Sequence, residues 1–174
     1  MSDAKTVLQT IKEQDVKFVD LRFTDPRGKW QHLAMDAAVI DDDSFTDGIM
    51  FDGSSIAGWK DIAESDMTLL PDPTTAVNDP FSAQASLILF CDVLEPTTHE
   101  AYSRCPRSAA RRAEVFLTST GVGDTAYFGP EAEFFIFDDV RYDVQMHNMF
   151  YKIDDVEGPY NAGAEFEAGN IGHR

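Results

Sequence analysis

The chain has 174 residues, 43% of them apolar and 11% aromatic, enough for a packed core in one ordinary domain or two small ones. Its 31 acidic residues outweigh the 14 basic ones by 17, giving a pI near 4.3, and that charge repels nucleic-acid phosphate and anionic lipid headgroups and excludes both as partners. No apolar run approaches the ~20 residues needed to cross a bilayer; two cysteines form no disulfide framework, and the polar opening Met1-Ser2-Asp3-Ala4-Lys5 lacks the pattern of an export signal, so a cytoplasmic location is expected.

Asp3 predicts the cap of a short amphipathic helix with Val7, Leu8 and Ile11 on one face, ending near Gln14-Asp15. Val19, Leu21 and Phe23 alternate with Asp20, Arg22 and Thr24, the period of a half-buried strand. Asp25-Pro26-Arg27-Gly28 then supplies turn chemistry, and a return strand follows from Lys29 to about Met35 with Trp30 as a large apolar anchor. From Phe51 to Pro73 the text is rich in Gly, Ser and Asp and predicts a loop with short extended pieces.

Ser86 to Val93 is a continuous apolar run that predicts a central strand buried on both faces, and Cys91 within it reads as a small core residue rather than a nucleophile. These elements make a small α+β domain ending near Thr98. Pro106 opens a second helix, with Ala109, Ala113, Phe116 and Leu117 on one side and Gly121 as its stop. Ala126 to Phe128, a Gly129-Pro130 bend and Glu131 to Phe137 then read as strand, bend and strand, with another strand from His147 to Ile153. After Asp155 the text turns loose and glycine-containing, and two or three strands with one helix cannot bury both faces of a sheet, so the second unit is expected to be unfinished.

Two constellations could carry chemistry. In Phe128-Gly129-Pro130-Glu131-Ala132-Glu133-Phe134-Phe135, strand alternation would put Glu131 and Glu133 on one face. Two like charges among aromatics need water or cations to compensate them, and hard carboxylate oxygens favour Mg²⁺ or Mn²⁺. In isolation, solvated outward-facing glutamates are the commoner explanation of such a pair. The second constellation is Phe51-Asp52-Gly53-Ser54-Ser55-Ile56-Ala57-Gly58-Trp59, followed by Glu64-Ser65-Asp66. Asp52 can orient this loop through its own carboxylate or bind a cation, and taken alone an Asx turn with a capping serine pair is the simpler reading. No phosphate-cradling glycine pattern is present, and the four histidines are scattered without ligand spacing.

Taken together, Val16 to Asp25, Phe51 to Leu69, Phe128 to Phe135 and the final Gly169-Asn170-Ile171-Gly172-His173-Arg174 resemble the class I, bacterial-type glutamine synthetase family, which joins ammonia to glutamate using ATP. The resemblance implies an α+β chain: a β-grasp N-terminal domain over residues 1–102, then residues 103–174 as the incomplete start of a guanido-kinase-like α/β catalytic domain. It also implies two Mg²⁺ or Mn²⁺ ions per complete site, with Glu131 and Glu133 as metal ligands and ATP as co-substrate. Asp52 matches the loop aspartate that binds ammonium and removes its proton, while Trp59 and Asp66 would shape a neighbouring subunit's site. The implied assembly is a homododecamer of two stacked hexameric rings. The family's remaining metal, ATP and glutamate ligands match nothing in these residues, so the chain alone is expected to be inactive. A catalytically silent β-grasp interaction module is the alternative from another class, and a ligase for a different amine is a third reading.

Overall fold

The structure is a computed structural model describing residues 3–156 and 158. It divides into two compact units, Met1–Ala126 and Tyr127–Arg174. The glycine-containing stretch beyond Asp155, with its family-like ending, lies outside the described residues except for Val156 and Gly158.

Helix α1 (Ala4–Glu13) forms where expected, because the Asp3 carboxylate accepts the backbone N–H of Thr6 at 2.8 Å and satisfies one orphan donor of the first turn. Val7 and Ile11 are its buried residues. β1 (Phe18–Thr24) and β2 (Trp30–Asp36) are the expected antiparallel hairpin, with Leu21 opposite Leu33. Buried Asp25 organises the turn by accepting the N–H groups of Arg27 and Lys29, both at 2.9 Å, so it carries no unmet acceptor of consequence. Trp30 departs from the expectation of an anchor: it is 57% exposed, on the outer face of the sheet, where its ring meets the edge of Phe90 at 5.1 Å.

The segment from Phe51 to Pro73 is, as expected, a loop with short extended pieces, here at its two ends. α2 (Asp42–Thr46) precedes β3 (Ile49–Asp52), and β4 (Asp66–Pro71) pairs antiparallel with it. Met67, Thr68 and Leu69 are all buried, so β4 is an inner strand despite the Asp and Pro at its ends. β5 (Val77–Asn78) and the predicted long strand, β6 (Ser86–Leu94), complete the sheet. Among the described residues the order is β2-β1-β6-β4-β3, with β5 also on β6. β1 and β6 are parallel while every other pair is antiparallel, and this places the apolar run of β6 at the centre.

One face of the sheet, through Val19, Leu21, Leu69, Leu87, Leu89 and Val93, closes over α1 to make the core. Cys91 belongs to it, and burial pushes its thiol well above the ordinary value, which leaves it inert as expected. Gly48, at φ +79°, lets the chain enter β3 against β4: a Cβ there would meet the Thr68 methyl and stand 2.7 Å from the Leu69 carbonyl oxygen. Gly48→Ala is therefore expected to lower the unfolding free energy by about 1–3 kcal/mol, through the left-handed angle and the overlap together, as read by urea denaturation.

α3 (Pro106–Thr120) has the expected proline start and a Gly121 stop at φ +68°. Its expected apolar side is not covered by the described residues: Ala109, Ala113 and Phe116 are exposed, Phe116 by 70%, and Leu117 is half-buried. Ionic contacts hold its first turns instead. The Arg107 guanidinium binds Asp92 through Nε at 2.9 Å and Asp72 through Nη2, and Arg111 reaches Asp92 at 2.5 Å.

In the second unit β7 (Asp139–Val144) and β8 (Met149–Asp154) pair as an antiparallel hairpin. β8 falls where a strand is predicted, whereas β7 is not anticipated by the sequence. The strands expected at Ala126–Phe128 and Glu131–Phe137 do not form: residues 125–137 carry no regular structure. A strand is defined by the ladder it makes, and none of the described strands offers its edge to this segment.

Candidate functional site

Asp52 closes β3 and caps the short 3-10 turn Gly53–Ser55. Its Oδ1 accepts the Ser54 N–H at 2.8 Å and the Ser54 hydroxyl at 2.6 Å, while Ser55 Oγ stands 3.4 Å from Oδ2. The Ser54 hydroxyl and backbone N–H hold the carboxyl below its ordinary value, so an exposed, ionised carboxylate stands at the end of the hairpin. The Asx cap is thus present as the residue pattern suggests. It uses mainly one oxygen, and the other retains acceptor capacity for a cation.

Asp66, at the start of β4, lies directly opposite Asp52 in the β3–β4 register, so residues fourteen apart in sequence are brought together and both are exposed. Two like charges facing each other across a ladder are mutually unfavourable, and a bound cation relieves that repulsion. Gly53 is the tight point beneath them. It is buried, its N–H donates to the Ser65 carbonyl at 2.7 Å, and a Cβ would sit 2.6 Å from Met67 Cγ.

Trp59 is placed differently from its neighbours. It is 5% exposed and packs its ring against Phe23 at 5.5 Å, Phe51 at 6.2 Å and Tyr102 at 5.4 Å. The residue is an inward anchor for the loop, and its buried Nε1 has no hydrogen-bond partner among the described residues. Sequence reasoning also passes over the groups that fasten the loop from behind. Arg104 Nη1 donates to the carbonyls of Gly58 at 2.7 Å and Trp59 at 3.4 Å, and the Lys60 ammonium bridges both oxygens of Glu95 at 3.1 and 2.8 Å. These partners lie 35 to 46 residues away, and no local spacing signals them.

Glu131 and Glu133 lie in the irregular segment of the second unit, both exposed, so the same-face argument lacks the strand on which it depends. Their carboxylates are the right donor chemistry for Mg²⁺ or Mn²⁺. Among the described residues, however, no group of three or more potential ligands gathers, so these two residues amount to donors and not to a metal centre.

Two family models match in sequence order: the one described as "Glutamine synthetase, beta-Grasp domain" over residues 15–96, and "Glutamine synthetase, catalytic domain" over residues 103–171. Across all 174 residues the chain is 61% identical to a glutamine synthetase of Azospirillum brasilense and 59% identical to one of Bradyrhizobium diazoefficiens. It spans 37% of the length of each of these curated relatives. Its fold resembles that of a Plasmodium falciparum glutamine synthetase solved by cryo-electron microscopy, with a TM-score of 0.66 and 23% identity over 92% of this chain and 33% of that one.

Proposed function

The chain belongs to the glutamine synthetase family, and we propose that it is part of an ATP-dependent ligase that joins ammonia to glutamate through γ-glutamyl phosphate. The observation that carries this reading is the ordered match of both family models, with near 60% identity running through the whole chain. The spans of those matches also support a division into residues 1–102 and 103–174, with α3 assigned to the second domain although it packs here within the first compact unit.

In this reaction the γ-phosphoryl group of ATP moves to the glutamate side-chain carboxylate, and ammonia then displaces phosphate from the resulting acyl phosphate. A bound pair of Mg²⁺ or Mn²⁺ ions would neutralise charge on the transferring phosphoryl group. Asp52 supplies an ionised carboxylate for ammonium. The Ser54 hydrogen bonds that keep it ionised also make it a weaker base than a free aspartate, so holding the cation is the role its geometry favours over removing the proton. Asp66 adds negative potential opposite it, and Trp59 shapes the loop from within.

Glu131 and Glu133 are proposed to donate to the metal ions, in company with ligands from the rest of a longer chain. The assembly is proposed to be a dodecamer of two stacked hexameric rings in the cytoplasm; no described helix is long and apolar enough to cross a membrane. The full-length enzyme should release phosphate from ATP in the presence of glutamate, Mn²⁺ and ammonia, and the 174-residue chain alone should not. Absence of ammonia-dependent phosphate release from the full-length enzyme would overturn the reading. Glu131→Ala and Glu133→Ala should each weaken Mn²⁺ binding about tenfold or more, since even a lost outer-shell partner costs about 10–100-fold, and calorimetric titration tests the assignment directly.

A further inference from the structure

The loop between Gly53 and Ser65 has little of its own to hold it in place. Ile56 and Trp59 are its buried large side chains, while Ser55, Ala57, Gly58 and residues 61–64 are exposed and Ile62 reaches 88% exposure. Its internal hydrogen bonds close only single turns, such as Ile56 N–H to the Gly53 carbonyl and Trp59 N–H to the Ile56 carbonyl, both at 3.1 Å. Such a segment keeps a fixed position only if something outside it does the fixing.

We propose that Arg104, seconded by the Lys60–Glu95 pair, is a positioning residue for the Asp52 loop, tying it to the 95–105 stretch that spans the boundary between the two family domains. The inference rests on the reading of Asp52 as the group that holds ammonium. Three observations support it. The guanidinium faces two consecutive loop carbonyls, at a turn that Gly58 makes with φ +85°, so one cation meets two acceptors that the turn leaves without intraloop partners. Lys60 meets both Glu95 oxygens while lying 5.5 Å from the Tyr102 ring centroid, and its side chain is only 18% exposed, which shields the pair from the screening that weakens surface ion pairs. Tyr102 is also the ring against which Trp59 packs, so aromatic, ionic and carbonyl contacts all reach the same eleven-residue stretch, 95–105.

Among the described residues, the hydrogen-bond partners of Arg104 and Lys60 are the Gly58 and Trp59 carbonyls and Glu95 rather than Asp52 or Asp66, and their effect on the reaction is therefore indirect. Releasing the clamp should leave Asp52 on its Ser54 cap but allow the loop to wander. A displacement of about 1 Å at a positioned group can cost up to about a hundredfold.

The test combines hydrogen exchange on this chain with kinetics on the full-length enzyme. Arg104→Met and Lys60→Met should each speed exchange of the amides at 56–65 while α1 amides stay unchanged, which separates a loosened loop from a failed fold. The same variants should raise the ammonium KM by about tenfold with kcat held within about twofold, and Arg104→Lys, which keeps a donor, should recover part of the loss. Unchanged loop exchange in both Met variants overturns the proposal. So does faster exchange with an unchanged ammonium KM in an enzyme where Asp52→Ala does raise it. If Asp52→Ala itself leaves the ammonium KM unchanged, the reading of Asp52 fails instead, and the exchange result alone decides whether Arg104 holds the loop.

Discussion

Asp52→Ala in the full-length enzyme is expected to raise the ammonium concentration needed for half-maximal rate by about 10- to 150-fold, with the ATP requirement near normal. The size follows from the contact removed: a hydrogen bond to a charged partner contributes about 1.5–3 kcal/mol, and each 1.4 kcal/mol is a factor of ten. Alanine also removes the cap that Oδ1 makes to Ser54, so that variant mixes two losses. Asp52→Asn separates them, because an asparagine oxygen can still accept from Ser54 and asparagine is as good a cap as aspartate. If the charge is what holds ammonium, Asn should behave nearly as badly as Ala. If the residue matters only as a cap, Asn should behave like the parent, and the ammonium role would be lost. An enzyme whose ammonium dependence is the same in all three forms removes Asp52 from the reaction altogether.

How far the sequence foretold these features depends on whether the controlling interaction is local. The Asp3 cap, the alternation in β1 and the Asp25 turn are read within a few residues, and all three form as expected. β6 is legible for a different reason: only a strand buried on both faces tolerates so continuous an apolar run. The bounds and inner position of β4 are hidden, although a short extended piece is expected there, because Asp66 and Pro71 bracket a core of only Met67 to Leu70, too short for a period to declare itself, and pairing with β6 decides its state. The converse failure is Glu131 to Phe137, whose alternation and aromatics suit a strand but whose described surroundings provide no ladder. For the candidate site, the Asp52 cap is written in Asp-Gly-Ser-Ser, whereas the pairing of Asp52 with Asp66 depends on the β3–β4 register, and the Arg104 and Lys60 contacts depend on tertiary closure.

Trp59 carries the largest stability effect expected in the first unit. Trp59→Ala should lower the unfolding free energy by about 3–5 kcal/mol, the usual cost of removing a large aromatic from a core that cannot collapse around the gap. Here the gap would open between Phe23, Phe51 and Tyr102, rings held by β1, β3 and the 95–105 stretch, so no single neighbour can move in to fill it. Trp59→Phe makes the sharper comparison. Phenylalanine keeps a ring in the cluster and deletes an indole N–H that is buried without a partner among the described residues, a group that itself costs about 1–3 kcal/mol to leave unmet. Loss of packing area and relief of that donor oppose each other, and Phe is expected to lie within about 1 kcal/mol of the parent in urea denaturation. A Trp59→Ala variant as stable as the parent would mean that the ring is not the anchor of the loop. A Trp59→Phe variant as damaged as Trp59→Ala would mean that a phenyl ring cannot stand in for the indole, whose full packing area or a hydrogen bond at Nε1 then supplies the stability.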